Sequence, residues 1–112
     1  MSKILIIDEA TPQRSLIKSA LEDQGHDVIE ANDSPQGLVR AIKISFDYIF
    51  CDLNMSGLSG KEFLAKTSHL PSKTFILISE NDSQAREECR CLGAADVVLK
   101  LADKKVYQDL LS

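Results

Sequence analysis

The chain has 112 residues, 44% of them hydrophobic and 27% charged, which is close to the average for one globular domain. Its formal net charge of −4, from 13 basic and 17 acidic residues, argues against a nucleic-acid-binding module, which would carry a basic excess. The longest apolar runs, such as Ile4–Ile7, are too short to span a membrane, and Asp8 and Glu9 interrupt the first run too early for a signal peptide. We expect a single cytoplasmic domain over residues 1–112.

The first half of the chain alternates between strand and helix signals. The apolar run Ile4–Ile7 predicts a strand that is covered on both faces. Thr11–Pro12 then supplies a capping hydroxyl and a proline at the first helical position, and Gly25 is a stop signal for that helix. The weaker run Asp27–Ala31 is bounded by charge, which predicts an edge strand. Ser34–Pro35 repeats the helix start signal.

The same alternation continues to the end of the chain. Three further runs predict buried strands: Tyr48–Cys51, Phe75–Ile78 and Val97–Leu99. Gly60 opens a short helix that ends before Pro71. Asp82 or Ser83 caps a helix that Gly93 stops. Residues 103–112 carry enough apolar side chains for a last helix of about two to three turns.

A β-α unit repeated five times predicts an open α/β fold with a parallel sheet and helices on both faces. In such sheets, ligands bind beyond the carboxyl ends of the strands, near the point where the strand order reverses. The residues that follow the buried strands therefore indicate where the functional site lies.

Polar residues follow the predicted buried strands, and we expect them to converge on one edge of the sheet: Asp8, Glu9, Asp52, Ser79 and Lys100. Each contact between like charges near a surface costs on the order of 4 kcal/mol at about 4 Å, and one lysine cannot offset three carboxylates. The carboxylates are therefore partly protonated or hold a divalent cation. Oxygen ligands of this kind favour Mg²⁺ or Mn²⁺. A metal, a carboxylate, a hydroxyl and an ammonium group together are suited to phosphoryl transfer.

The chain resembles, along its whole length, the receiver domains of two-component response regulators. The matching segments are 4–9, 52–60, 76–79 and 93–100. The resemblance implies a flavodoxin-like fold with strand order 2-1-3-4-5, an order known from a chemotaxis receiver. It also implies that a sensor histidine kinase or a histidine phosphotransfer protein acts upstream and that a protein target acts downstream.

The same resemblance assigns roles to the residues at the strand ends. Asp52 accepts the phosphoryl group from a phosphohistidine, and Ser79 and Lys100 contact that group and transmit its arrival. The expected cofactor is Mg²⁺, with ligands from Asp8, Glu9, Asp52 and the main-chain carbonyl of Asn54. The protein is then a phosphoacceptor that assists its own phosphorylation and dephosphorylation, and not an enzyme that turns over an external substrate.

Four positions depart from the family pattern. Leu101 follows Lys100 where proline is usual, which predicts a trans or strained peptide bond there. Val97 stands where many receivers carry an aromatic residue that changes rotamer, and valine is too small and stiff for that movement. Ser56 replaces a common proline. Glu80 either obstructs the phosphodonor or faces water. The last helix is also short for the family.

Two alternatives to a phosphate-operated switch or relay follow from these residues. One is a protein-interaction module with the receiver fold that works without phosphorylation. The other is a phosphatase with an aspartate nucleophile and an acid two residues later, but Asn54 occupies that second position and cannot exchange a proton as a carboxyl group does. The switch or relay remains the leading hypothesis, with no nucleic-acid or membrane partner expected from this chain.

Overall fold

A computed structural model describes residues 1–100 and 103–111, and the expectation for Leu101 lies outside these residues. The strands are β1 (Lys3–Ile7), β2 (Asp27–Ala31), β3 (Tyr48–Asp52), β4 (Lys73–Ile78) and β5 (Asp96–Leu99). The helices are α1 (Thr11–Glu22), α2 (Ser34–Lys43), α3 (Gly60–Thr67), α4 (Ser83–Cys91) and α5 (Lys104–Leu110). None of these helices has the length and apolar character to cross a membrane.

The five strands form one parallel sheet in the order β2-β1-β3-β4-β5, which confirms the predicted fold and strand order. β2 lies at an edge, as the charges that bound it predict. The strand order reverses between β1 and β3, because the chain first adds β2 on one side of β1 and then β3 on the other. Ile7 pairs with Cys51 across this point. The next residues, Asp8 directly after β1 and Asp52 at the end of β3, therefore lie side by side at the carboxyl edge of the sheet.

The sheet is covered on both faces, so alternate residues of each strand enter different cores. One core packs against α2, α3 and α4, and its fully buried members include Leu5, Ile7, Ile49, Cys51, Phe63, Ile76 and Cys89. The other core packs against α1 and α5, and its fully buried members include Ile4, Ile6, Ile17, Leu21, Phe50, Leu77 and Tyr107. The sheet is thus a rigid platform for the residues at its carboxyl edge.

Two predicted helix caps are wrong by one residue. Thr11 is the first residue of α1, and its N-cap is Ala10, whose extended backbone (φ −81°, ψ 107°) makes no side-chain capping bond. Ser34 is likewise the first residue of α2. Asp33 caps that helix, because its side chain accepts a hydrogen bond from the Gln36 backbone N–H. The Ser34 hydroxyl instead accepts a hydrogen bond from the Leu58 backbone N–H at 2.6 Å.

The other helix ends agree better with the sequence. Gly25 and Gly93 take positive φ values of 87° and 105°, as expected for glycines that follow helices. Asp82 caps α4. Ser59 and Glu62 form a reciprocal capping box at the start of α3, a Ser-x-x-Glu signal that the sequence shows and the prediction overlooked.

Candidate functional site

Lys100 joins the carboxylates that end β1 and β3. Its Nζ lies 3.0 Å from Asp8 Oδ2 and 3.1 Å from Asp52 Oδ2, and it donates a hydrogen bond to the latter. All three side chains are largely buried, with exposed fractions of 14% for Lys100, 10% for Asp52 and 0% for Asp8. Residues from three separate strand ends therefore meet as predicted, and Asp52 keeps a small surface open to solvent.

The Asp8 loop is held by a contact that the sequence did not predict. Asp8 Oδ1 accepts a hydrogen bond from the Ala10 backbone N–H at 2.9 Å. Arg14, from the first turns of α1, donates from Nη1 to the Asp8 backbone carbonyl at 2.7 Å and from Nε to Glu30 Oε1 at 3.2 Å. Asp8 is thus fixed at both its side chain and its main chain. No local pattern around Arg14 announces this role, because its partners come from β2 and from the end of β1.

The site has two buried carboxylates for one ammonium group, and the pKa values of Asp52 and Lys100 are both shifted. Burial raises the pKa of Asp52, and the hydrogen bond and charge of Lys100 only partly oppose that effect. Burial alone would lower the pKa of Lys100. Its contacts with Asp8 and Asp52 outweigh burial, so the pKa of Lys100 is raised. Lys100 therefore stays charged at neutral pH, while an ionised Asp52 destabilises the fold.

We expect Asp52→Asn to raise the free energy of unfolding at pH 7 by about 1 kcal/mol, because the neutral amide removes the cost of burying an ionised carboxylate close to Asp8. A carboxyl group with a raised folded-state pKa loses stability as pH rises through its unfolded and then its folded value. The advantage of the variant should therefore be present at pH 7 and vanish below the ordinary aspartate pKa of about 3.9. Urea denaturation across this pH range measures it.

Asp23→Asn is the matched control, because Asp23 has a 60% exposed side chain paired with Lys104 at 3.4 Å. Such surface pairs contribute about 0–1 kcal/mol, so this variant should match the wild type or be slightly less stable. A wild type more stable than Asp52→Asn at pH 7 would contradict the argument.

The sequence predicted that Glu9 would lie with Asp8, Asp52 and Lys100, but in the structure it lies apart from them. Its carboxylate is exposed and bound to the β3–α3 loop (residues 53–59), where the Ser56 backbone N–H donates to Oε1 at 3.1 Å and the Ser56 hydroxyl donates to Oε2. Ser56 was expected only to remove a restraint by replacing proline. Its side chain instead gives the loop a specific link to Glu9.

Ser79 and Asn54 line an open cavity of about 260 Å³ beside the buried carboxylates. Glu80 and Asp82 also line it. Ser79, Asn54 and Glu80 are exposed, so a molecule that enters the cavity meets their polar groups. Of the two alternatives for Glu80, the structure agrees with the one in which it faces water, and the residue forms part of the wall of this cavity. The ligand role of the Asn54 carbonyl stays a prediction.

The donor set fits a hard divalent cation. Asp52 Oδ1 and Asp8 Oδ2 are buried and receive no hydrogen bond from the described residues, although Asp8 Oδ2 has its ion pair with Lys100. Oxygen atoms of this kind are the ligands that Mg²⁺ prefers. In residues 1–100 and 103–111, no three His, Cys, Asp or Glu side chains are grouped closely enough to form a metal site. Glu9 is the carboxylate that would have to move to complete one.

Arg86 links the loop after β4 to the edge strand. Its Nε donates to Asn81 Oδ1 at 3.0 Å, and its Nη1 donates to the Val97 carbonyl at 2.7 Å. Val97 is 2% exposed and packs in the core. It occupies the position where many receivers carry an aromatic residue that changes rotamer. No local sequence pattern points to Arg86, because its partners Asn81 and Val97 lie in different segments of the chain.

Fold and site together define a doubly wound α/β domain with an acidic, lysine-bridged site at the carboxyl edge of its sheet. The family model for the response regulator receiver domain matches residues 4–111. The chain therefore belongs to the response regulator receiver domain family.

Individual relatives agree with this assignment. The chain is 26% identical over 109 residues to the protein PilH of Pseudomonas aeruginosa, with 94% of this chain and 90% of PilH covered. It is 34% identical over 76 residues to the chemotaxis protein CheY of the same organism, with 62% and 61% covered. Several curated relatives are longer, and the chain spans only 16–50% of their length; it covers 42% of the transcriptional regulatory protein ResD of Bacillus subtilis.

Solved structures show the same architecture. The chemotaxis response regulator CheY4 of Vibrio cholerae aligns with a TM-score of 0.89 at 26% identity, covering 99% of this chain and 96% of CheY4. A response regulator from Burkholderia pseudomallei aligns with a TM-score of 0.88 at 20% identity, covering 100% of this chain and 67% of that one, and its structure contains a phosphorylated aspartic acid and a calcium ion. Receiver domains generally bind a divalent cation at the phosphorylation site. They act as signalling switches between histidine kinases or phosphotransfer proteins and downstream targets.

Proposed function

We propose that this receiver domain accepts a phosphoryl group on Asp52 from a phosphohistidine of a sensor kinase or phosphotransfer protein and so acts as a switch or relay. The observation that carries the proposal is the state of the Asp52 carboxylate. Oδ2 is hydrogen-bonded to Lys100, and Oδ1 has no hydrogen-bond partner among the described residues. The side chain is 10% exposed, which leaves a donor a restricted approach.

The transfer step balances without a further reactant. An Asp52 carboxylate oxygen attacks phosphorus, so an O–P bond forms and the P–N bond of the phosphohistidine breaks. The bonding electron pair stays on the imidazole nitrogen, and Asp52 becomes an acyl phosphate. Lys100 stabilises negative charge on the phosphoryl oxygens at short range, and the Ser79 hydroxyl donates a hydrogen bond to one of them.

Mg²⁺ is the cofactor that this donor set would hold, through Asp8, Glu9, Asp52 and the Asn54 carbonyl. When bound, the cation neutralises charge on the carboxylates and on the incoming phosphoryl group. Asp8 is suited to this role because Ala10 and Arg14 fix its position. Glu9 lies at the same strand end and would have to leave its contact with Ser56 to join the other ligands.

The output would pass through the backbone and not through an aromatic rotamer at position 97. Ser79 opens the loop that contains Asn81, and Arg86 ties Asn81 to the Val97 carbonyl. A shift of Ser79 toward a phosphoryl group would therefore be felt by α4 and β5 together. A downstream protein that contacts these elements would read that shift.

Intact-protein mass spectrometry tests the proposal. With acetyl phosphate and MgCl₂, the wild type is expected to gain one phosphoryl mass, and Asp52→Asn is expected to gain none, because an amide oxygen is not a nucleophile of comparable strength. Asp23→Asn, which alters an exposed carboxylate, should gain the mass as the wild type does. An adduct on Asp52→Asn, or none on the wild type, contradicts the proposed site.

A further inference from the structure

Ser56 donates two hydrogen bonds to the Glu9 carboxylate, one to each oxygen. The backbone N–H binds Oε1 at 3.1 Å and the hydroxyl binds Oε2. The two residues are 47 positions apart in the chain. The contact therefore joins the loop after β1, which begins with Asp8, to the β3–α3 loop, which follows Asp52.

The β3–α3 loop that presents Ser56 is itself anchored. Two residues after Ser56, the Leu58 backbone N–H donates to Ser34 Oγ at 2.6 Å, and Ser34 is completely buried at the start of α2. At the end of the loop, Ser59 is held in the capping box of α3. Ser56 thus approaches Glu9 from a fixed segment, and the position of Glu9 follows from that segment.

Glu9 differs from the neighbouring carboxylates, Asp8 and Asp52, in how its oxygens are hydrogen-bonded. Asp52 Oδ1 is buried without a hydrogen bond from the described residues and Asp8 Oδ2 has its ion pair with Lys100, whereas each Glu9 oxygen accepts a hydrogen bond from Ser56. A cation competes with the two Ser56 donors for the lone pairs of the Glu9 oxygens, and Glu9 must leave these donors to join Asp8 and Asp52. A hydrogen bond to a charged group is strong enough for this exchange to matter.

We propose that Ser56 is a positioning residue that holds Glu9 away from Asp8 and Asp52 and thereby weakens the binding of Mg²⁺. The inference rests on the proposed function only in taking Glu9 as a metal ligand. It makes the metal affinity of the site dependent on the β3–α3 loop, so a partner that pulls this loop away from Glu9 strengthens metal binding.

Titration calorimetry with MgCl₂ and no phosphodonor tests the inference. Ser56→Ala removes the hydroxyl and keeps the backbone donor, and it is expected to bind Mg²⁺ about three- to tenfold more tightly than the wild type, which is the range of one typical hydrogen bond. Ser68→Ala is the matched control, because Ser68 is an exposed serine at the far end of α3 whose hydroxyl donates to the Ala65 carbonyl at 3.4 Å. Its affinity should equal that of the wild type.

A double-mutant comparison separates positioning from general loosening. With Glu9→Gln present, Ser56→Ala should give no further gain, and ¹⁵N spectra of the wild type should show the Ser56 amide shifting on Mg²⁺ addition. Equal or weaker binding by Ser56→Ala, or the same gain with and without Glu9, overturns the inference. The titration needs no phosphodonor, so its outcome is independent of the adduct test. A wild type that binds Mg²⁺ here but forms no adduct with acetyl phosphate would refute the proposed function and leave this result standing.

Discussion

Lys100→Met is expected to lower the free energy of unfolding by about 3–5 kcal/mol at pH 7, the usual cost of removing one partner from a buried ion pair. The variant leaves Asp8 and Asp52 facing each other without the ammonium group that lies about 3 Å from both. The loss should shrink at low pH, where protonated carboxyl groups need no cation. Because the pKa of Lys100 is raised, the stabilisation in the wild type should persist up to the ordinary lysine pKa of about 10.4 and disappear as pH rises through the higher folded-state value.

Guanidinium denaturation curves for Lys100→Met and Lys104→Met provide the comparison. Lys104 has a 44% exposed side chain and pairs with Asp23 at 3.4 Å, so its loss should change stability by at most about 0.5 kcal/mol. Adding Asp52→Asn to Lys100→Met should recover part of the deficit, because only one buried carboxylate then remains. Equal effects of the two lysine variants would show that the charge at position 100 is not what holds the strand ends together.

Tyr107→Ala is expected to cost about 3–5 kcal/mol and to release α5 from the sheet. Tyr107 is the one buried residue of this seven-residue helix and is fully enclosed. Its ring meets Phe50 edge to face, with centroids 6.4 Å apart, and its hydroxyl accepts a hydrogen bond from Gln13. The other apolar side chains of this short helix, Val106 and Leu110, are only partly buried against the same core, so Tyr107 contributes most of the burial that offsets the entropy of docking.

Tyr107→Phe separates packing from hydrogen bonding. It keeps the ring and loses the hydroxyl with its Gln13 hydrogen bond, so it should cost about 1 kcal/mol. Hydrogen exchange should show faster exchange of the α5 amides in Tyr107→Ala, with β1 and β3 still protected. A cost below about 1 kcal/mol for Tyr107→Ala would mean that α5 is held by contacts other than this ring.

The sequence predicts the sheet well because its signals are local. Runs such as Ile4–Ile7 are continuous and apolar, and a fold that covers a parallel sheet on both faces is their natural consequence. The helix starts were less certain, since Thr11 and Ser34 carry good capping side chains yet lie one residue inside their helices. Both assignments depend on where the preceding loop leaves the sheet, which no local pattern records.

The site was predicted in part. The meeting of Asp8 and Asp52 follows from the topology, since neighbouring parallel strands end together. The contact of Ser56 with Glu9 and the bridge that Arg86 makes to Val97 join segments of no fixed spacing. Their existence depends on the paths of individual loops, so only the coordinates show them.

Lys100 contacts two carboxylates that precede it by a long way in the sequence, those of Asp8 and Asp52. During synthesis, which runs at about 5–20 residues per second, Asp8 and Asp52 emerge well before the ammonium group that balances them. β5 must also add to the outer side of β4 before Lys100 can reach either carboxylate. While this domain is being synthesised, the two carboxylates therefore lack their ammonium partner until β5 docks.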